Sequence, residues 1–209
     1  MLLSSAPTVK KMQKNTISGQ LPFPFTKTKL KTHNSCPQSS FSSLQKNIYL
    51  SFMNKHIDWI KRTRQSLLQL IESLTIEQLN EVPSGFNNNI IWNLAHLVAV
   101  QQGIFYKRSG VSTVVDEKFI AAFTRGTKPE RFIDAAEVDN IKNELFASLD
   151  RFQQDYTANL FANYSAWTTP YTVEIASIED AIDFLVFHEG LHYGYVMAQR
   201  RLVNSKALA

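Results

Sequence analysis

The residues best suited to chemistry lie near the C-terminus, where His188-Glu189-Gly190-Leu191-His192 fits the pattern H-E-x-x-H. Two imidazoles at i and i+4 stand on one side of a helix, within reach of a common metal ion. In zinc proteases the glutamate between them is the general base. A five-residue pattern with two free positions also arises by chance, and the plainer account is a pair of buried or hydrogen-bonded histidines. The protease reading needs a third ligand downstream and a sheet to align the substrate. Residues 193–209 contain no His, Asp or Glu, and no β alternation of useful length is visible, so that reading fails.

A third ligand must therefore come from upstream, where only His33, His56 and His96 are available. His33 lies in the N-terminal tail. His56 opens the first helix, where an exposed side chain is expected. His96 sits in mid-helix within "NNIIWNLAHLV", beside Leu94 and Leu97. A lone histidine there is usually a satisfied core residue. Facing a pair on another helix it becomes a candidate ligand, because bundles build metal sites from side chains on facing helices.

Neighbouring residues are weighed the same way. Glu189 is one residue past His188, about 100° of rotation away, and a solvated carboxylate is expected. Trp92 and Asn93 lie one turn before His96 and border the site or orient a ligand; core packing is the expectation for Trp92. Tyr195, three residues past His192, offers a hydroxyl, with core packing again expected. Core packing is also the default for Phe105, Tyr106, Phe119 and Phe123, the alternatives being a substrate wall or a dimer contact. The chain has no G-x-G-x-x-G, P-loop or G-x-S-x-G, and Ser43 to Lys46 matches S-x-x-K without the companion motifs.

The elements that must position these residues are helical. Ile57, Ile60, Leu67, Ile71 and Leu74 recur at helical spacing and predict a first helix over about 53–74. "EVPSGFNNN" then reads as a turn whose asparagines cap the next helix, about 89–109, which stops at Gly110. Residues 110–135 form a long connection with a short helix at "DEKFIAAF". The third helix carries Val138, Ile141, Leu145, Leu149, Phe152, Tyr156 and Leu160. Ser177 and Asp180 form a capping-box-like start for the fourth, about 178–202, which ends in Arg200 and Arg201. "YTVEIA" is the best strand candidate. Four long amphipathic helices with one longer crossover predict an all-α four-helix bundle.

Composition bounds the function classes. The net charge is +4, yet eight lysines precede the first acidic residue, Asp58. Subtracting them from the 22 Lys and Arg leaves 14 basic against 18 acidic residues over 58–209, so the core is mildly acidic and nucleic-acid binding is not expected. The single cysteine, Cys36, precludes an intramolecular disulfide and a Cys-rich zinc site and suits a reducing, cytoplasmic setting. No apolar run approaches the ~20 residues that span a bilayer. Residues 1–50 read as a basic, Ser/Thr/Pro-rich disordered tail, with the bundle over 53–205. Because the helical pattern begins almost at Met53, that methionine is favoured as the true first residue over a transit-like leader.

"GFNNNIIWNLAHLVAVQQ" followed about ninety residues later by "FHEGLHYGYV" resembles the DinB / YfiT-like superfamily, over roughly Met53 to Leu202. The resemblance implies a DinB-like bundle of up-down-down-up type with the long crossover between helices 2 and 3. It implies metal ligands at His96, His188 and His192, with Gly194 standing where the family often has a glycine. A divalent ion (Zn, Ni or Fe) is expected there, held with an open position. The implied activity is a thiol-dependent S-transferase or related detoxification enzyme, taking a small-molecule substrate and a low-molecular-weight thiol. The alternative is a non-catalytic, stress-associated metal-binding bundle, or a helical scaffold that holds no metal. A homodimer is implied by analogy alone.

Overall fold

A computed structural model describes residues 38–206; the region expected as a tail, with His33 and Cys36, falls mostly within residues 1–37, outside the described residues. The first helix, α1, spans Gln38–Ile71. It begins earlier than Met53, and Leu50 already packs against buried side chains of the bundle. A short helix absent from the expectation, α2 (Ile76–Asn80), follows, capped by Thr75 and Gln78 in a reciprocal capping box.

The Asn89 side chain accepts the Trp92 amide at 2.8 Å and starts α3 (Ile90–Gln101). That helix continues through a π turn at Gln102–Tyr106 and a 3-10 turn at Lys107–Ser109. Gly110 ends it with φ +67°, a left-handed conformation that glycine adopts at little cost. The connection holds α4 (Glu117–Phe123), and Asp134 caps α5 (Ala135–Thr157) by accepting the Glu137 amide. Strands β1 (Trp167–Thr168) and β2 (Glu174–Ile175) pair antiparallel, so the expected strand exists as a two-residue rung. Ser177 and Asp180 exchange hydrogen bonds of 3.1 and 3.0 Å at the head of α6 (Ile178–Lys206), as the capping box requires.

The long helices form a ring: α1 packs on α5 and α6, and α3 packs on the same two. Two apolar clusters fill it. One joins Leu67 and Ile71 of α1, Ile90 to Val98 of α3, Val138 to Leu145 of α5, and Val196 and Val203 of α6. The other joins Met53 to Ile60, Ile104 to Tyr106, Leu149 and Phe152, and Ala181 to Leu185. Early residues of α1 and α6 thus meet late residues of α3 and α5, so α1 and α6 run in one sense and α3 and α5 in the other. This is an all-α four-helix bundle. Between the clusters lies a buried polar layer of Arg64, Gln101, Ser148 and Glu189. The π turn beside it buries two successive glutamines, Gln101 and Gln102, and the second accepts the Val114 amide of the crossover.

Candidate metal centre

His96 stands on α3, whose surface is buried nearly all round, and is itself buried at 5% exposure. Its Nδ1 lies 2.6 Å from the backbone oxygen of Phe123 at the end of α4. A carbonyl only accepts, so Nδ1 carries the proton and the Nε2 lone pair is free. Trp92, one turn earlier, stacks on the ring at 4.5 Å with 14° between planes and fixes its tilt.

His188 and His192 are one turn apart on α6, the neighbour of α3. Their ring centroids are 4.5 Å apart, and they lie 5.4 and 4.7 Å from that of His96. One nitrogen from each ring can be chosen so that all three atoms lie within 4.8 Å of one another. At that upper limit the centre of the triangle is ~2.8 Å from each atom, against a usual metal–imidazole bond of about 2.0–2.1 Å, so an inward shift of ~0.7 Å or less closes the site. It is the sole group of this kind among the described residues, and no carboxylate belongs to it.

The electrostatics suit a cation. Burial holds His96 and His188 below the usual histidine range, and the charges of His192, His96 and Arg64 depress His188 further. His192 is pushed down to about 3, by burial first and by His96 second. All three imidazoles are therefore neutral near pH 7, the form in which they could bind a cation. The Nδ1 of His188 is buried without a hydrogen-bond partner among the described residues.

The DinB superfamily model matches residues 60–196, most of the bundle. The chain belongs to the DinB superfamily. Among solved structures it is similar to YfiT from Bacillus subtilis, described as "a probable metal-dependent hydrolase with an unusual four-helix bundle topology". The two share 14% identity over 82% of this chain and 92% of that one, with a TM-score of 0.44. A search of curated proteins finds no match.

The surroundings of the triad in this DinB protein depart from sequence expectation at several points. Glu189 is not solvated. It is 1% exposed, and its Oε1 accepts from Arg64 Nη2 at 2.6 Å and Nε at 3.1 Å. Arg64 also donates to Leu145 O and Gln101 Oε1, and is itself fully buried. The signal was present: Arg64 falls on the α1 stripe between Ile60 and Leu67, and Glu189 falls four residues after Leu185 on that of α6. Tyr195 is not core but half exposed, edge-on to Phe86 and 6.0 Å from His192. His56 is not exposed; it contacts Phe52 O at 2.8 Å and Asp183 at 3.3 Å, remote from the triad. Trp92 is core, as expected, and also supports His96. Asn93 reaches the site directly, its Oδ1 lying 2.8 Å from His192 Nδ1. Phe105 and Tyr106 are buried, while Phe119 and Phe123 pack half-buried along the crossover.

Proposed function

We propose that this DinB protein holds a divalent metal ion on His96, His188 and His192 and acts as a thiol-dependent S-transferase, joining a low-molecular-weight thiol through its sulfur to a small electrophile as the electrophile's leaving group departs and the thiol proton passes to solvent. The observation that carries the metal reading is the convergence of three buried imidazoles on one point. A divalent ion bound there with a free position stabilises the anion of a thiol or water and so lowers its pKa.

What the chain's own residues supply favours a thiol. Trp92 and the Phe123 carbonyl hold His96, and burial keeps all three histidines uncharged, so protons do not compete with a cation at neutral pH. The nearest acidic residue in sequence, Glu189, is committed to Arg64 and belongs to no metal-ligating group. A free thiol, with a pKa near 8.5, lies closer to ionisation at neutral pH than free water at about 15.7, and a divalent ion would lower both. No cysteine lies among residues 38–206, so the nucleophilic sulfur comes from outside the bundle. Catalysis then consists of holding the thiolate, excluding bulk water from it, and presenting the electrophile.

The test is metal content of the purified protein beside His96→Ala and His188→Ala, with turnover measured using glutathione, bacillithiol or mycothiol and monochlorobimane. About one metal ion per chain in the parent, lost from both variants together with thiol-dependent turnover, supports the proposal. Metal without turnover reduces it to a binding bundle. Equal absence of metal from parent and variants overturns it.

A further inference from the structure

We infer that Asn93, locked by the Asn89 backbone carbonyl and by Gln199, is a positioning residue that commits His192 to a single tautomer, leaving its Nε2 lone pair for the metal. This rests on the metal reading proposed above and extends it to residues outside the triad.

The argument is one of hydrogen-bond polarity. An asparagine amide can be turned over, so a 2.8 Å contact with a histidine does not by itself say which partner donates. Here the rest of the network decides. Asn93 Nδ2 lies 2.8 Å from the backbone oxygen of Asn89, an atom that only accepts. Gln199 is oriented independently, because its Nε2 lies 2.8 Å from the backbone oxygen of Asn88. That places Gln199 Oε1 against Asn93 Nδ2 at 3.0 Å. The Asn88 side-chain oxygen completes the set, accepting from Gln199 Nε2 at 2.9 Å and facing Asn93 Nδ2 at 3.3 Å.

Both carbonyl anchors impose the same direction. Turning Asn93 over would set its oxygen against two acceptors and its NH₂ against a ring nitrogen, in a place where Asn93 and Gln199 are fully buried. Asn93 Oδ1 must therefore accept, and His192 Nδ1 must donate. The two outward histidine nitrogens that have partners are thus settled by different segments: His96 by the crossover, His192 by the Asn88–Asn93–Gln199 relay. Metal-ligating histidines are ordinarily oriented by such outer partners, whose loss lowers metal affinity 10–100-fold. An amide, unlike a carboxylate, adds no negative charge, so a cation held here keeps its full attraction for an anionic ligand such as a thiolate.

Two readouts test this. In metal-free parent protein with ¹⁵N-labelled histidine at pH 7.5, the His192 resonances should report the Nδ1–H tautomer. In Asn93→Leu they should shift toward Nε2–H, and competition titration with Zn²⁺ should show binding weakened about 10–100-fold while the far-ultraviolet spectrum is kept. Gln199→Leu, which removes one anchor, should give the same shift in smaller measure. An Nε2–H tautomer in the parent overturns the inference, and that measurement stands even if a variant does not fold. Zn²⁺ affinity and tautomer both unmoved in Asn93→Leu overturn it as well. A parent with the expected tautomer that binds no Zn²⁺ would leave the polarity of the relay standing and defeat the metal reading instead.

Discussion

The buried Arg64–Glu189 pair makes a prediction that separates packing from charge. Glu189→Leu leaves the guanidinium without its only carboxylate among the described residues, facing Leu145 O and Gln101 Oε1, at a side chain with 0% exposure. Removing one member of a buried pair costs about 3–5 kcal/mol, because the remaining charge has left water and gained nothing. At roughly 2–4 °C per kcal/mol for a chain of this size, the melting temperature should fall by about 6–20 °C. Arg64→Leu in the same background removes the stranded charge. Gln101 then still donates to Ser148 O at 3.0 Å and accepts from Ser148 Oγ at 3.1 Å, so the polar groups left over are few. The double variant should lie within ~1–2 kcal/mol of the parent, since apolar replacement of a whole buried pair is often neutral or better. Urea denaturation followed by circular dichroism, with chelator present throughout, measures the parent, Glu189→Leu, Arg64→Leu alone and the double variant without interference from metal. Additive single effects, or a Glu189→Leu cost below about 1 kcal/mol, would show that water reaches the pair and would refute the reasoning.

Two further predictions follow from buried polar groups. The metal-free protein should lose stability as the pH falls from ~6.5 toward 3: the unfolded chain gains protons on its histidines there, whereas the folded chain, with His192 held to about 3, does not. The loss is at most ~1.4 kcal/mol per pH unit for each histidine that stays neutral, and urea midpoints at pH 7.5 and 5.5 should differ in parent but much less in a His188→Leu, His192→Leu protein. Tyr106, whose hydroxyl donates to Asp155 Oδ2 at 2.9 Å in a site that raises its pKa by burial first, should cost about 1.5–3 kcal/mol as Tyr106→Phe; a change below ~0.5 kcal/mol would mean that Arg151 alone satisfies the carboxylate.

How far the sequence reached is clearest residue by residue. Ile57, Ile60, Leu67 and Ile71 declared α1 by period, and Val138 to Phe152 declared α5, because burial of one face leaves a periodic trace. Gly110, Asn89, Ser177 and Asp180 were legible for a different reason: caps and left-handed turns are local chemistry with few alternatives. The start of α1 at Gln38 was not, since "QSSFSSLQKN" has no sustained apolar period. The triad was legible as residue types and spacing, and the resemblance supplied which three to group. Glu189 was misjudged because charge alone says "surface"; only its register on the α6 apolar stripe, matched by that of Arg64 on α1 125 positions away, says "pair". Tyr195 failed in the opposite sense, an aromatic residue taken for core that lies at the edge of α6 beside the site.

That register has a consequence for the site. On α6 the successive residues His188 and Glu189 face different duties, one toward the shared point with His96 and the other into the polar layer against Arg64. A rotation of α6 that improved one contact would break the other, since adjacent residues are fixed ~100° apart on the helix. One turn later His192 is tied to α3 through Asn93, and two turns beyond that Gln199 is tied to the Asn88 carbonyl. A helix in a purely apolar bundle can slide or turn among similar packings at small cost. Here each of three successive polar anchors admits one angular setting, and all three must be met by the same rigid rod. These three anchors together fix the rotation of α6, and with it the spacing of the His188 and His192 imidazoles from that of His96.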